Sequence, residues 1–485
     1  MMLATLIRKE LKAILVSPKF TATFAVCSAL ILISVCTGIA EYRSSVKQYE
    51  AAIDLNEQRL QEQTSWGNLA DKVFRRPDPL QIFAAGLTFD VGRWSIIADR
   101  LNVKLMGSTY SQDPIFALFR FVDFTFIVLF VLTLLAILFT YDAISGEKEG
   151  GTLRLVFSNA VPRAQYLIAK AVGAWLGLVV SILIPTLLAV LLVMVFRVPM
   201  LPGDWVRVTS LIALALALFT FFIFFGVMIS TLTRRSSISF LVCLVCWVGF
   251  IMIIPRAGVM AAGSIIEVPR MAEIEGQRDA FASDQWKQFH EEARERWQAA
   301  KADPDQMTDE EWEKVLWNRM QEEDSLRQLM EQKIEDHERQ LLDDLERRKV
   351  VQQKLAFALS RISPASAFQL GAISIAGTDM NLKSRYTEAF TEFREVFLAF
   401  TKKKQEESGL TDRIHVSSTS DGKFNIDLPR ESSGLDLTGL PRLTPPVATV
   451  AEAVTPAVVD FGLIVMASLL SFVVAFVAFG KYDLR

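Results

Sequence analysis

The sequence predicts an all-α polytopic membrane protein with six transmembrane helices, and two observations lead to that class. Hydrophobic residues make up 51% of the chain while 22% of its residues are charged, which indicates lipid-facing segments that alternate with solvated ones. The apolar residues also gather into six runs, each long enough to cross about 30 Å of hydrocarbon at 1.5 Å per residue. The predicted spans cover residues 20–40, 116–141, 166–196, 208–232, 238–254 and 457–480.

An amphipathic helix is predicted for residues 1–19, ahead of the first span. Leucine and isoleucine recur on one helical face, while Arg8, Lys9 and Lys12 supply positive charge. This pattern is typical of a helix that lies in the plane of the lipid headgroups, and Pro18 ends it before the first span. A cleaved signal peptide is the alternative, but the apolar run after the basic residues is too long for one.

The distribution of basic residues predicts the orientation of the spans. Six spans place both termini on one side of the membrane, and most of the basic residues near the span ends fall on that side. The positive-inside rule makes this side cytoplasmic, which places the protein in the inner or plasma membrane. Segments 41–115 and 255–455 are then extracytoplasmic, and segments 142–165 and 481–485 are cytoplasmic. Arg197, Arg207 and Arg256 lie on the opposite side and run against the rule.

The long polar segment before the last span, residues 255–455, is predicted to be a mainly helical extracytoplasmic domain. After a capping box at Thr308 and Glu311, apolar residues recur at three- or four-residue steps, which predicts a helix of about 50 residues and ~75 Å. We expect this helix to pair with the preceding one, residues 267–302, as a long helical hairpin. Alternation on both sides of residues 421–422 predicts a small β-hairpin. The helical hairpin is interpreted as a solvated structure or, alternatively, as a docking surface for an extracytoplasmic protein.

The sequence contains no motif for nucleotide, metal or nucleic-acid chemistry. A Gly-x-x-x-x-Gly-Lys-Ser/Thr loop is absent, so we expect the chain to have no ATP site and no catalytic activity of its own. His290 and Glu291 begin a metalloprotease-like helix, but Arg294 stands where the second histidine ligand is required. Cys243 and Cys246 lie in an apolar run without a second pair, and are interpreted as apolar filler in a span. The net charge of -3 gives no indication of a nucleic-acid partner.

The segment between the second and third predicted spans, residues 142–165, is short and charged, and we call it the elbow. Gly150 and Gly151 permit a sharp bend before Thr152 begins a short helix. Two membrane helices joined in this way are suited to pass a push from a soluble partner into the membrane; a charged turn that serves only topology is the alternative. The candidate residues are Asp142, Glu147, Lys148, Glu149, Gly150, Gly151, Thr152, Leu153, Arg154 and Arg163.

A second candidate site is a polar pair near the start of the second predicted span. Arg120 and Asp123 are three positions apart, so one helical face can bring their side chains together. A charge in hydrocarbon is costly, so a buried pair here is a functional candidate. Because both residues lie near the end of the span, an interfacial anchor is the alternative to a substrate contact.

Residues 144–154, with Pro162, Arg163 and Lys170 at the start of the next span, carry a resemblance to a known family. Together with the basic N-terminal helix, the six-span layout and the C-terminal tail, they resemble the permease subunit of a type-two ABC exporter. The large insert before the last span is similar to that of one subgroup of this family.

This resemblance implies partners that the chain itself does not contain. It implies a second permease chain, identical or different, and two copies of a separate ATPase subunit that binds ATP and magnesium. It also implies that the N-terminal helix and the elbow contact the ATPase, with Glu147, Lys148 and Glu149 pairing with its surface. The substrate cannot be carried over from the family.

Three functions follow as expectations. The first is a permease that exports an apolar or amphipathic substrate, driven by ATP hydrolysis on the separate subunit. The second is ATPase-driven transmission of force to an extracytoplasmic partner without transport of a substrate. The third is a membrane scaffold without energy coupling, which predicts no ATPase partner.

Overall fold

The structure is a computed structural model that describes residues 2–66, 69–99, 101–112, 122–158, 161–299, 309–408, 415–418, 424–427 and 435–482. Six of the described helices are long and apolar enough to cross a membrane, and the described strands form only two small sheets. The predicted all-α class and the six spans are therefore confirmed. The spans are Pro18–Gln61, Phe124–Glu149, Arg163–Val195, Pro202–Leu232, Ser236–Ile265 and Val450–Gly480.

The secondary-structure elements have the following bounds. The helices are α1 (Met2–Leu15), α2 (Pro18–Gln61), α3 (Thr109–Gln112), α4 (Phe124–Phe126), α5 (Thr133–Thr140), α6 (Ser145–Glu149), α7 (Thr152–Phe157), α8 (Arg163–Val195), α9 (Pro202–Leu232), α10 (Ser236–Val248), α11 (Ile254–Ile265), α12 (Met271–Ala299), α13 (Asp309–Ser360), α14 (Pro364–Ala376), α15 (Asn381–Ser408) and α16 (Val450–Gly480). Shorter helical stretches are the 3-10 helix Pro79–Ile82 and the π-helices Ile127–Leu132 and Gly249–Ile253. The strands are β1 (Asp71–Phe74), β2 (Trp94–Ile97), β3 (His415–Ser418) and β4 (Phe424–Asp427). Strand β1 pairs antiparallel with β2, and β3 pairs with β4 as the predicted β-hairpin.

Two spans begin before the apolar runs that were predicted at residues 208 and 457. Polar caps explain both starts: the Asp204 carboxylate accepts a hydrogen bond from the Leu201 N–H (2.9 Å), and the Thr449 hydroxyl accepts one from the Glu452 N–H (3.2 Å). A cap satisfies N–H groups in the first turn, so the helix extends beyond its apolar residues. The predicted start of the second span, at residue 116, lies outside the described residues.

Helix α9 lies at the centre of the membrane bundle, where it packs against α5, α14 and α16. Its side chains include Leu218, Phe222 and Ile223, each with 0% of its surface exposed. Gly226 permits the closest approach, because a Cβ atom at this position would overlap the side chain of Thr140. Small residues of this kind allow membrane helices to pack closely.

The insert between the fifth and sixth spans is divided between two compact units, which corrects the single domain expected over residues 255–455. Residues 254–362 form one unit, and residues 363–485 belong with residues 1–253 to the other. Helix α14 is not part of a solvated domain, because it packs against α9 and α16. Its small buried residues, such as Ala367 and Gly371, explain why it fits among membrane helices.

Within residues 254–362, α12 and α13 form the predicted helical hairpin. The Arg278 guanidinium lies 3.5 Å from the Glu338 carboxylate, and the Phe281 ring stacks on His337 with 4.1 Å between ring centroids. These pairs show that the two helices run antiparallel. Helix α13 has 52 residues, a length of about 78 Å at 1.5 Å per residue.

A second hydrophobic core joins the segment after the first span to the segment before the last. Phe390 and Phe397 of α15 are fully buried, and they pack with residues from the end of α2 and from the β1–β2 sheet, among them Leu60 and Ile97. Arg394 of α15 adds a hydrogen bond to a carbonyl group 296 positions earlier in the chain. Two segments that were predicted separately therefore fold as one structure.

Candidate functional site

The elbow turns sharply between its two short helices, α6 and α7, as its glycines predicted. Gly151 has a φ of +71°, a left-handed conformation that costs a residue with a Cβ atom about 1–2 kcal/mol. Nothing lies within 4 Å of the position that a Cβ atom would occupy there, so backbone conformation alone favours glycine. Helix α8 then begins at Arg163, directly after Pro162.

The start of α6 is fixed to the end of α9. The Ser230 hydroxyl oxygen accepts hydrogen bonds from the backbone N–H groups of Ile144 and Ser145, both at 2.9 Å. Ser230 is fully buried, so these bonds are shielded from water. N–H groups at a helix start lack partners within the helix, and here a side chain from the fourth span supplies one.

Lys148 and Glu149 connect the elbow to the end of α9 and the start of α10. The Lys148 ammonium donates to the carbonyl oxygens of Thr231 and Thr233, the latter at 3.0 Å, where α9 ends. It also lies 4.6 Å from the centre of the Tyr482 ring in the C-terminal tail. Glu149 accepts a hydrogen bond from the Ser236 N–H (3.1 Å). A cation at a helix C-terminus and an anion at a helix N-terminus are both favourable placements.

A polar cluster links the elbow to α1 through α8. The Lys170 ammonium lies 2.6 Å from the Glu147 carboxylate and 3.0 Å from the Glu10 carboxylate. The Tyr166 hydroxyl donates to the second oxygen of Glu147. The Lys170 side chain is only 11% exposed, so its charge depends on these two carboxylates. The cluster joins α1, α6 and α8 at one point.

Helix α1 packs directly on α8, with two glycines at the contact. A Cβ atom at Gly173 would lie 2.6 Å from the Glu10 Cβ atom, and one at Gly177 would lie 2.9 Å from the Ile14 side chain. Part of the apolar face of α1 is therefore covered by α8, although lipid was expected to cover it. Arg8, Lys9 and Lys12 lie on the exposed face.

Some of the remaining elbow candidates are bonded to other parts of the chain or buried, and others are exposed. The Arg163 guanidinium donates to the carbonyl oxygens of Gly480 and Tyr482 at 2.8 and 3.1 Å, which ties the C-terminal tail to α8. Leu153 is buried. Asp142 forms an exposed ion pair with Lys19 at 3.4 Å.

The exposed surface of the elbow lies on α7. Arg154 is exposed, and the neighbouring Leu155 exposes 68% of its surface. Arg154 and Leu155 therefore present a charged and an apolar side chain at adjacent positions of α7. Glu147 and Lys148 bond within the chain, whereas Glu149 is exposed like Arg154 and Leu155. The pairing of Glu147, Lys148 and Glu149 with an ATPase stays a prediction.

Lys170 could be recognised from the sequence, but Glu10, Tyr166, Leu155 and Ser230 were not predicted. A signal existed for Glu10, which is the one acidic residue of α1 and lies on the otherwise apolar face of that helix. Ser230 carried no signal, because serine is common in membrane helices and its partners lie 85 and 86 positions away.

The second candidate, the polar pair, is only half described. Arg120 lies outside the described residues. The Asp123 carboxylate accepts hydrogen bonds from the N–H groups of Phe126 (2.8 Å) and Ala85 (3.0 Å), so it caps α4 and fixes a loop from the first segment. These bonds account for Asp123 as a helix cap.

Arg207, which runs against the positive-inside rule, is buried and bonded within the chain. Its guanidinium donates to the Ile375 carbonyl oxygen (2.8 Å) and lies 3.3 Å from the Asp204 carboxylate. Only 2% of its surface is exposed. The residue therefore stabilises the end of α14, which explains its position on the less basic side.

The described residues contain no group of three or more His, Cys, Asp or Glu side chains that could hold a metal ion.

Comparison with known proteins places the chain in a family. Residues 4–484 match the family model described as ABC-2 family transporter protein. A stretch of 55 residues, 11% of this chain, is 47% identical to the "Probable ABC transporter permease protein NosY" of Stutzerimonas stutzeri. A stretch of 60 residues, 12% of this chain, is 43% identical to the protein of the same name from Pseudomonas aeruginosa.

These stretches cover 20% and 22% of the two relatives' own lengths, so the relatives support the family but not a shared substrate. The family model, by contrast, covers nearly the whole chain. With its six apolar helices, this chain is a multi-pass membrane protein that belongs to the ABC-2 transporter family.

Proposed function

We propose that this chain is the permease subunit of an ABC exporter, in which ATP hydrolysis on a separate ATPase subunit drives an apolar or amphipathic substrate across the membrane. The observation that carries the proposal is the attachment of the elbow to several spans at once. Ser230 and Lys148 connect it to α9, and Glu149 connects it to α10. Glu147 connects it to Lys170 of α8, which in turn binds Glu10 of α1. A push on the elbow would therefore move the cytoplasmic ends of these helices together.

The proposed complex contains two permease chains, identical or different, and two ATPase subunits that bind ATP and magnesium. Its orientation follows the charge distribution: the termini and the elbow face the cytoplasm, and the protein resides in the inner or plasma membrane. The elbow lies on the side where a soluble ATPase has access.

The ATPase contact is proposed to centre on Arg154 and Leu155 of α7, with Arg8, Lys9 and Lys12 of α1 at its edge. Arginine is enriched at protein interfaces, and burial of the exposed leucine in an apolar pocket of the partner would stabilise the contact. Glu147 and Lys148 act differently: they transmit the movement, because their charges are bound to other parts of the same chain. Glu149 is exposed and is proposed to do both.

Substitution of Leu155 tests this contact. We expect Leu155→Asp to weaken co-purification with the ATPase at least tenfold and to abolish stimulation of ATP hydrolysis by the permease, because a carboxylate cannot enter an apolar pocket without a partner. Leu329→Asp is the matched control, since Leu329 of α13 is also well exposed, at 55%, but lies outside the proposed contact. A Leu155→Asp complex that stays intact and hydrolyses ATP normally would refute the assignment.

Transmission of force to an extracytoplasmic partner is the second candidate, and the length of the helical hairpin favours it. Residues near 270 and 346 face each other, as judged from the pairs Arg278–Glu338 and Gln352–Ile266. Replacing residues 271–345 by a short Gly/Ser turn therefore removes most of the hairpin without separating its base. A well-folded variant that retains ATP-driven export supports the first function. A variant that still binds the ATPase but no longer acts on an extracytoplasmic partner supports the second.

A further inference from the structure

A cavity of about 170 Å³ lies between α2, the 3-10 helix and the β1–β2 sheet, and none of its residues belongs to the elbow. Four aromatic side chains contribute to its wall, those of Tyr49, Phe74, Phe89 and Trp94. The family model and the named relatives assign no role to this region. Its polar residues show what kind of molecule would fit.

Three buried polar side chains in this wall each have an atom without a hydrogen-bond partner. These atoms are Nε of Arg75, Nε2 of Gln81 and Oγ1 of Thr88, and the residues are 9%, 6% and 5% exposed. Buried polar atoms in native proteins nearly always have partners. Two of the three atoms are N–H donors, so the missing partner is an acceptor.

Arg75 also lacks a counter-ion among the described residues. Its Nη2 donates to the Thr88 carbonyl oxygen at 2.6 Å, but no described carboxylate forms an ion pair with it. The nearby Asp78 carboxylate caps the 3-10 helix by accepting from the Leu80 N–H (2.9 Å). Burial lowers the pKa of Arg75, yet a guanidinium remains protonated in proteins.

Water alone would leave Arg75 without a directly bonded anion. Ordered water molecules can accept hydrogen bonds from buried donors, but they carry no net charge. A second guanidinium, that of Arg93, also contributes to the wall and donates to the Gln48 side chain at 3.3 Å. The lining residues include two guanidinium groups and no carboxylate, so an anion would supply both the acceptor atoms and a negative charge beside Arg75.

We propose that this cavity binds a small organic carboxylate. The carboxylate would accept hydrogen bonds from Arg75 and Gln81, because a planar guanidinium matches a planar carboxylate. The apolar part of the ligand would pack against the aromatic side chains. The volume is below the roughly 300–1,000 Å³ typical of drug-sized ligands, so the ligand is about as large as benzoate and smaller than a lipid.

Ligand binding to the purified full-length protein in detergent tests the chemistry. Benzoate is the probe, benzamide is the uncharged molecule of the same shape, and inorganic phosphate is an anion without an apolar part. We expect benzoate to bind at least tenfold more tightly than benzamide and phosphate, by calorimetry or by saturation-transfer NMR. The proposal is overturned if benzoate does not bind at millimolar concentration, or if benzamide or phosphate binds equally well.

Variants locate the binding. Arg75→Met should weaken benzoate binding at least tenfold, and Gln81→Leu should weaken it several-fold. Arg442→Met should leave it unchanged, because the Arg442 side chain is 82% exposed and does not line this cavity. If Arg75→Met fails to fold, the affinity of Gln81→Leu for benzoate and the difference between benzoate and benzamide still test the proposal. Unchanged affinity in the folded variants would show that benzoate binds elsewhere.

Discussion

The elbow and the helical hairpin are both rich in charge, yet they use charge in opposite ways. In the elbow, Lys148 bonds to carbonyl groups 83 and 85 positions away, and Lys170 bonds to a carboxylate 160 positions away. In the hairpin, pairs such as Arg348–Asp344 and Arg339–Asp336 join residues on the same helix at three- or four-residue spacing. The first kind of bond fixes tertiary structure, and the second decorates a solvated surface.

The difference shows that charge content alone does not identify a site. Exposed pairs contribute about 0–1 kcal/mol, because water and salt screen them and ordering two long side chains costs entropy. Removing one partner from a buried pair costs about 3–5 kcal/mol, because the other charge is left without compensation. What separates the two regions is the exposure of the charged groups, together with the distance along the chain between partners.

Of the variants considered, the removal of Lys170 should lower the stability of the protein most. We expect Lys170→Met to destabilise the protein by about 3 kcal/mol, because Glu10 and Glu147 would lose their shared cation. Thermal unfolding of the purified protein in detergent measures this. Adding Glu10→Gln and Glu147→Gln to the same variant should recover part of the loss. If Lys170→Met is as stable as the wild type, the cluster does not contribute to the stability of the fold.

Substitution of the glycine at the bend of the elbow should lower the stability of the protein by a smaller amount, and only at one of the two glycines. We expect Gly151→Ala to cost about 1–2 kcal/mol, because its φ of +71° is strained for alanine. Gly150→Ala is the matched control, since Gly150 has a φ of -79°, which alanine adopts readily. The two unfolding temperatures are compared directly. Equal shifts for both variants would argue against backbone strain as the reason for glycine at 151.

Removal of an exposed ion pair in the hairpin should change the stability of the protein least. We expect Arg348→Ala to change the free energy of unfolding by less than about 0.5 kcal/mol, because its partner Asp344 is four positions away and both side chains are about half exposed. The same unfolding measurement applies, at low and at moderate salt. A loss comparable with that of Lys170→Met would remove the distinction between the two regions.

Much of this architecture could be predicted from the sequence because its signals are local. The six spans follow from hydropathy, and the hairpin follows from apolar residues at helical spacing. The bend at residues 150–151 follows from glycine. Helix boundaries were less accurate, as at α9 and α16, because caps such as Asp204 and Thr449 extend a helix beyond its apolar run.

The partners of the polar residues could not be predicted in this way. The resemblance implies that Glu147 pairs with another protein, but sequence spacing did not reveal its bonds to Lys170 and Tyr166 within the chain. Arg207 runs against the positive-inside rule, yet it is a buried residue that bonds to the end of α14. Sequence spacing reveals which residues share a helical face, but not which distant helix lies opposite that face.

The sequence by itself determined the class of this protein, its spans and the place of its elbow, because burial in a membrane requires long apolar helices whatever their neighbours are. Only the tertiary structure decided that α14 joins the bundle, that α1 and the elbow meet at Lys170, and that Arg75 faces a cavity. These outcomes depend on packing between segments far apart in the chain, where small residues permit contact and each buried charge requires a partner.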